Sequence, residues 1–245
     1  MAKKVRLDNL LVERGFFADE GAALRAVLAH EVRVNDVYVT SAAIKVTPDA
    51  DIFVRGRKGY VSRGGHKLKG ALDAFALDVA GMHCIDVGSS TGGFSDCLLQ
   101  AGAADVACVD VNYGQLAWQL REDPRVSVFE RTNIKTADPV ALGAPFDMIV
   151  CDVSFIGLAG LAPYFAALSA PGSKFVGLVK PQFESAHDET DHGVVRDEAV
   201  RLRTVDEVQA ALSAHGFAVQ GVAESPITGP EGNVEYLVYA IFGVE

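Results

Sequence analysis

From Met82 onward, short apolar runs alternate with amphipathic stretches, and that rhythm leaves few folds open. His83-Cys84-Ile85-Asp86-Val87 reads as a buried strand, as do residues 106–111, 126–130, 146–152 and 175–179. Residues 94–101, 116–121, 158–168 and 196–215 read as helices between and after them. Strands that are apolar throughout, alternating with helices, predict a parallel sheet covered on both faces. Two last strands, about residues 218–224 and 235–242, lie close in sequence and predict an antiparallel hairpin at the sheet edge. The expected fold class is α/β, a doubly wound Rossmann-like sheet that is mostly parallel.

The first 57 residues follow another pattern. Leu7, Leu10 and Leu11 share one face of a helix over residues 5–15, with Gly15 placed to end it. A second helix starts at Asp19 or Glu20 and runs to Ala29. Val32-Arg33-Val34 and Val37-Tyr38-Val39 alternate around Asn35-Asp36, as in a hairpin, and residues 51–54 read as a further strand. This small α+β module is too small for an enzyme but large enough to bind a partner. The expected organisation is a module at 1–57, a basic linker at 58–64 and the main domain at 65–245.

Charge separates the same two parts. The chain of 245 residues carries a net −10, which taken alone argues against a nucleic-acid partner. Residues 1–69 carry +5 and residues 70–245 carry −15. Arg55, Arg57, Lys58, Arg63, Lys67 and Lys69 follow one another with no acid between them. A basic module beside an acidic body is compatible with RNA. No apolar run is long enough to span a membrane, and the N-terminus lacks the apolar core of a signal peptide. Cys84, Cys97, Cys108 and Cys151 form no C-x-x-C pair and have no spaced histidine partners, so no metal site is expected. Cys84, Cys108 and Cys151 lie in strand-like runs and read as buried thiols of a cytoplasmic protein.

The N-terminal module resembles the S4-type RNA-binding domain, through Arg6-Leu7-Asp8 with Leu10-Leu11, Ala22-Ala23 and Val32-Arg33-Val34-Asn35. The resemblance implies that its helix pair and following turn lie on structured RNA. Lys3, Lys4, Arg6, Arg14, Arg25 and Arg33 are then the candidates to face phosphates, which supply most RNA affinity. Arg55, Arg57, Lys58 and Arg63 extend that basic set through the linker.

The first strand of the main domain runs into Asp86-Val87-Gly88-Ser89-Ser90-Thr91-Gly92-Gly93-Phe94. In an open α/β sheet the ligand sits beyond the strand ends at the switch point. Ser90 stands where a dinucleotide fingerprint needs its second glycine, and no Gly-Lys-Ser/Thr follows, so dinucleotides and nucleoside triphosphates are disfavoured. A plain β–α connection also uses such glycines. Asp110, at the end of the next strand, is an acid placed to accept a ribose diol and favours the ligand reading. A ribose acceptor with a loop too loose for pyrophosphate fits S-adenosylmethionine, whose sulfonium suits an acidic pocket. Asp86 would orient the loop or meet the methionine end, and Thr132-Asn133 would frame the adenine.

Asp152 ends the fourth strand, Lys180 ends the fifth, Glu235 begins the last, and Lys67 lies in a helix ahead of the sheet. Strand ends gather at one rim, so these groups can converge beside Gly88. Ser62-Arg63-Gly64-Gly65-His66-Lys67-Leu68, the glycine loop, Asp110-Val111-Asn112-Tyr113-Gly114-Gln115-Leu116-Ala117-Trp118, Cys151-Asp152-Val153-Ser154-Phe155, Leu178-Val179-Lys180-Pro181-Gln182-Phe183-Glu184 and Gly232-Asn233-Val234-Glu235-Tyr236 together look like the TlyA family. These are ribosomal RNA ribose 2′-O-methyltransferases with an FtsJ-type domain, some of them named haemolysins. The resemblance implies a catalytic tetrad of Lys67, Asp152, Lys180 and Glu235. It also implies methylation of cytidine ribose in ribosomal RNA, in the large subunit and potentially the small one, with ribosomal subunits as the partner.

In such a reaction the hydroxyl oxygen, methyl carbon and sulfur must be in line and the hydroxyl proton must leave. Lys180 is the candidate base, or the cation that stabilises the developing alkoxide. Trp118 reads as helix packing near the cofactor with base stacking as the alternative, and His66 as an orienting group. The polar stretch 185–193 reads as a loop that could close over the site. Two rival functions stay open: a non-catalytic ribosome-assembly protein on the same fold, and a membrane-active haemolysin. The second lacks both a span and a strongly amphipathic cationic helix.

Overall fold

The computed structural model describes residues 4–14, 16–17, 19–48, 50–56, 59–229 and 231–244. The chain begins with β1 (Val5–Arg6), α1 (Leu7–Glu13), α2 (Glu20–Leu28), β2 (Val32–Val34), β3 (Val37–Tyr38), β4 (Lys45–Val46) and β5 (Ile52–Val54). The Asp19 carboxylate caps α2 by accepting the Ala22 N–H at 2.7 Å. Asn35 and Asp36 both have positive φ, which gives the β2–β3 turn the twist a two-residue hairpin requires. Leu7, Leu10, Leu11, Ala23, Val27, Val32, Val34, Ile52 and Val54 form one buried cluster among these elements.

The helix expected over residues 5–15 is shorter than its pattern. Val5 and Arg6 pair instead with Val46 and Lys45, and the helix begins at Leu7. Gly15, read as its terminator, lies outside the described residues.

The larger part contains α3 (Gly64–Ala74), β6 (His83–Val87), α4 (Gly93–Gln100), β7 (Asp105–Val109), α5 (Trp118–Arg121), β8 (Val126–Phe129), α6 (Pro139–Leu142) and β9 (Phe146–Cys151). After a 3-10 turn at Ala159–Leu161 come α7 (Ala162–Ala167), β10 (Ser169–Val179), α8 (Pro181–Glu184), α9 (Glu198–Ala214), β11 (Phe217–Glu224) and β12 (Tyr236–Phe242). The seven strands lie in the order β11-β12-β10-β9-β6-β7-β8. Strands β6 to β10 are parallel, while β12 runs antiparallel to both β10 and β11. The terminal hairpin is therefore antiparallel as expected, with β12 inside it and β11 at the edge.

Side chains alternate across this sheet. Along β6, Ile85 and Val87 join the core that contains Phe165, Val205 and Leu212, while Cys84 joins the core that contains Leu68, Phe94 and Leu98. Helices α7 and α9 thus cover one face and α3 and α4 the other. All four cysteines are free and buried.

Candidate active site

The loop after β6 is built for close approach. Gly88 has φ +83°, and a Cβ there would stand 2.9 Å from the Asp152 carbonyl oxygen, so no other residue fits without displacing β9. Asp110, just past β7, ties the loop down: its Oδ2 accepts the Ser90 N–H at 2.8 Å and its Oδ1 the Asn112 N–H at 2.7 Å. Asp86 is fully buried. Its Oδ2 accepts the Ser95 N–H at 2.9 Å and the Ser95 hydroxyl at 2.6 Å. Its Oδ1 has no hydrogen-bond partner among the described residues. Burial pushes the Asp86 carboxyl up to about 7 against the lowering pull of Ser95, and Asp152 and Asp110 add to the rise.

The tetrad assembles because of strand direction. Parallel strands place their C-terminal ends on one rim, and the antiparallel β12 places its N-terminal end on that same rim. Val179 of β10 is opposite Tyr236 of β12, so Lys180 and Glu235 come together. Lys180 Nζ lies 2.5 Å from Asp152 Oδ1 and donates to Ser154 Oγ at 2.9 Å. Lys67, on the first turns of α3, donates to Glu235 Oε2 at 2.5 Å. Lys67, Lys180 and Glu235 are buried, and Asp152 is half-buried. All four line one cavity of about 480 Å³, together with Asp86, Gly88, Ser89, Ser90, Thr91, Gly93 and Phe94.

Other expected site residues stand apart from that lining. Gly92 caps α4 with a left-handed conformation beside Leu116 and Leu120. Thr132 donates to the Glu130 carbonyl oxygen at 3.1 Å, and the Asn133 side chain accepts the Lys135 N–H at 3.0 Å. Gly92, Asp110, Thr132 and Asn133 thus shape the loops behind the cavity among the described residues.

The basic candidates fall into two groups. Arg14 and Arg63 stand at the joint between the N-terminal elements and the cavity, and both line it along with Pro48. Arg14 donates to the carbonyl oxygens of Ala50 at 2.6 Å and Pro48 at 2.5 Å. Arg63 pairs with Glu13 at 2.5 Å and donates to the Thr228 carbonyl oxygen at 3.2 Å. Lys4, Arg6, Arg25 and Arg55 are exposed, Arg6 paired with Asp8, and Arg33 lies over the rings of Phe53 and Tyr38. Lys3, Arg57 and Lys58 lie outside the described residues. The His66 ring is set edge-on to Tyr60 and Phe16, and its imidazole is lowered to about 4 by burial and by Arg14 and Arg63.

Trp118 does not pack into the domain as the helix reading expected. It is 74% exposed at the start of α5, because Leu116 and Leu120 take the inward positions. The stretch after Lys180 is more ordered than a loop: α8 is followed by a 3-10 turn at His187–Glu189 and a bridge between Asp191 and Val194.

Sequence reasoning passed over four residues that the site depends on. Ser95 holds Asp86, Ser154 holds Lys180, and Pro48 lines the cavity from the N-terminal side. Asn233 is buried, accepting the Val195 N–H at 3.0 Å and donating to the Gly193 carbonyl oxygen at 2.9 Å. Its place two residues before Glu235 was the available signal. Among the described residues no group of acids, histidines and cysteines could hold a metal, and no helix is long and apolar enough to cross a membrane.

Residues 60–242 match the model of the FtsJ-like methyltransferases. The 16S/23S rRNA (cytidine-2′-O)-methyltransferase TlyA of Mycobacterium tuberculosis is 43% identical over 98% of this chain and 90% of its own. A solved Streptococcus thermophilus structure that carries a hemolysin name is 38% identical with a TM-score of 0.76, covering 99% of this chain and 90% of that one. An S-adenosylmethionine dependent methyltransferase from Mesorhizobium loti shares the fold at 19% identity and a TM-score of 0.53, over 70% of this chain and 96% of that one. A glycine loop under a paired lysine–carboxylate tetrad, on a sheet whose last strand is reversed, thus comes with near full-length likeness: the chain belongs to the TlyA family of FtsJ-like methyltransferases.

Proposed function

We propose that this protein is an S-adenosylmethionine-dependent ribose 2′-O-methyltransferase of cytidine in ribosomal RNA, with Lys67, Asp152, Lys180 and Glu235 as its catalytic group. The observation that carries the proposal is the convergence of two lysine–carboxylate pairs on the cavity beside Gly88. Residues 1–57, as an S4-like module, hold the RNA, and residues 65–245 carry out the reaction in the cytoplasm.

The residues present suit the methyl donor. Asp86 Oδ1 is a buried acceptor with no hydrogen-bond partner among the described residues, and Asp86 lines the cavity beside Gly88, where no Cβ fits against the end of β9. S-adenosylmethionine, when bound, supplies an electrophilic methyl group on a sulfonium. Asp86, Gly88 to Gly93 and Phe94 are its candidate contacts, and Asp110, Thr132 and Asn133 fix the loops around it.

The chain's own residues then handle the hydroxyl. An ammonium has three donors. Lys180 commits one of them to Ser154 Oγ, is ion-paired with Asp152 Oδ1 at 2.5 Å, and lines the cavity. Lys180 thereby holds the ribose oxygen and stabilises negative charge as the proton leaves. Asp152 fixes the lysine and is the acceptor nearest to it. Glu235 holds Lys67, which adds a second cation to the same wall.

The decisive experiment incubates unmodified ribosomal subunits with the protein and S-adenosylmethionine and maps the methyl gained. A new 2′-O-methylcytidine is the expected result. No transfer to either subunit would leave the non-catalytic assembly reading, and leakage of liposomes by the pure protein would revive the haemolysin reading.

A further inference from the structure

The loop between β7 and α5 presents large apolar side chains to solvent. Val111, Tyr113 and Trp118 are 62%, 68% and 74% exposed. The loop beneath them is held firmly. Glu130 accepts the Gly114 N–H at 2.8 Å and pairs with Arg121. Arg131 N–H donates to the Asn112 carbonyl oxygen at 3.0 Å, and Ala117 N–H to the Thr91 carbonyl oxygen at 3.1 Å. Rings displayed on a fixed backbone are preordered for a partner, which lowers the entropy cost of that partner's binding.

Two observations name the partner. Thr91 lines the catalytic cavity, so the loop bonded to it belongs to the same rim. A cation beside them is open: Arg131 lies 4.4 Å from the Tyr113 ring centroid and pairs with no carboxylate among the described residues. Flat rings beside an unpaired cation are what unpaired nucleic acid binds, by stacking and by phosphate attraction. We propose that Tyr113 and Trp118 form a base-stacking platform for an unpaired stretch of the RNA substrate on the rim of the active site. This inference rests on the proposed transfer to ribosomal RNA.

Trp118 is the only tryptophan in the chain, so its emission reports on this loop alone. Titrating the full chain with a protein-free ribosomal RNA transcript should quench that emission, and S-adenosylmethionine alone should leave it unchanged. Trp118→Ala should raise the KM for ribosomal subunits about tenfold while the Kd for S-adenosylmethionine stays constant, and Trp118→Phe should recover most of the loss. An unchanged KM in Trp118→Ala, or quenching by S-adenosylmethionine without RNA, would overturn the platform. If the wild-type protein transferred no methyl group to any ribosomal RNA, the functional reading would fail instead. The quenching titration would still decide the platform.

Discussion

Asp86 is a carboxylate whose surroundings oppose its ionisation until a cation arrives. Its folded value of about 7 exceeds the free value, so the folded protein holds a proton there that the unfolded chain has lost. That contribution to stability is complete at low pH and disappears as pH rises through about 7. Asp86→Asn should therefore melt higher than the wild type at pH 8 and much closer to it at pH 5, a comparison scanning calorimetry makes directly. A cationic ligand reverses the preference by favouring the ionised form. Titration calorimetry should show S-adenosylmethionine binding the wild type more tightly from pH 6 to pH 8, with that dependence lost in Asp86→Asn. Lys180 is tested by separating binding from reaction. Lys180→Ala should remove methyl transfer and leave cofactor binding intact, and substantial turnover in the purified variant would end its proposed role at the reacting oxygen.

The strand ends do the work of placement, and the turns beside them tolerate little change. Gly88→Ala combines a left-handed backbone with a contact against β9, so it should cost about 1–3 kcal/mol by denaturant unfolding and abolish cofactor binding. Asn233 ties the turn before β12 to residues 193 and 195. Asn233→Ala leaves those backbone groups without their partner and should lower kcat more than it raises KM, because Glu235 loses its support. The same elements explain what was readable in the sequence. Strands β6, β7, β8 and β9 were legible within a residue or two, the first, second and fourth as runs of mostly buried apolar side chains and β8, only partly covered, by its alternation of Val126 and Val128 with Ser127. The β1–β4 pair was not, because two residues carry no period and their pairing depends on contacts 40 residues away. The start of β10 was missed as well: the strand was read from residue 175, whereas it begins at Ser169 and a register shift between Ser169 and Lys174 accommodates Ala170, Pro171 and Gly172. The tetrad was legible in identity through its motifs. Ser95 and Ser154 were not, since a serine acquires meaning only when a fold sets it beside a charge.

Across the whole molecule, the N-terminal elements and the cavity meet at one joint. Glu13 of α1 reaches Arg63 just before α3, and Arg14 and Pro48 border the cavity that holds the tetrad. If residues 1–57 hold the RNA, the exposed Lys4 and Arg25 should matter to binding and to little else. Replacing both with Ala should reduce the slope of log affinity against log salt by about one to two, with S-adenosylmethionine affinity unchanged, as filter binding and calorimetry can establish. The mean charge of −10 concealed this arrangement, because the acidic surplus lies on the part that surrounds a cationic donor. One feature of the sheet reaches further. Strand β12 is last in the chain yet lies between β10 and β11, and the Glu235 that precedes it closes on Lys67 across 168 residues. A fold without residues 235–242 lacks an inner strand and the carboxylate that holds Lys67, however well its other parts have formed. Strands β10 and β11 are thus joined only through the segment that also fixes Lys67, so lost order at that edge of the sheet is lost charge placement in the cavity.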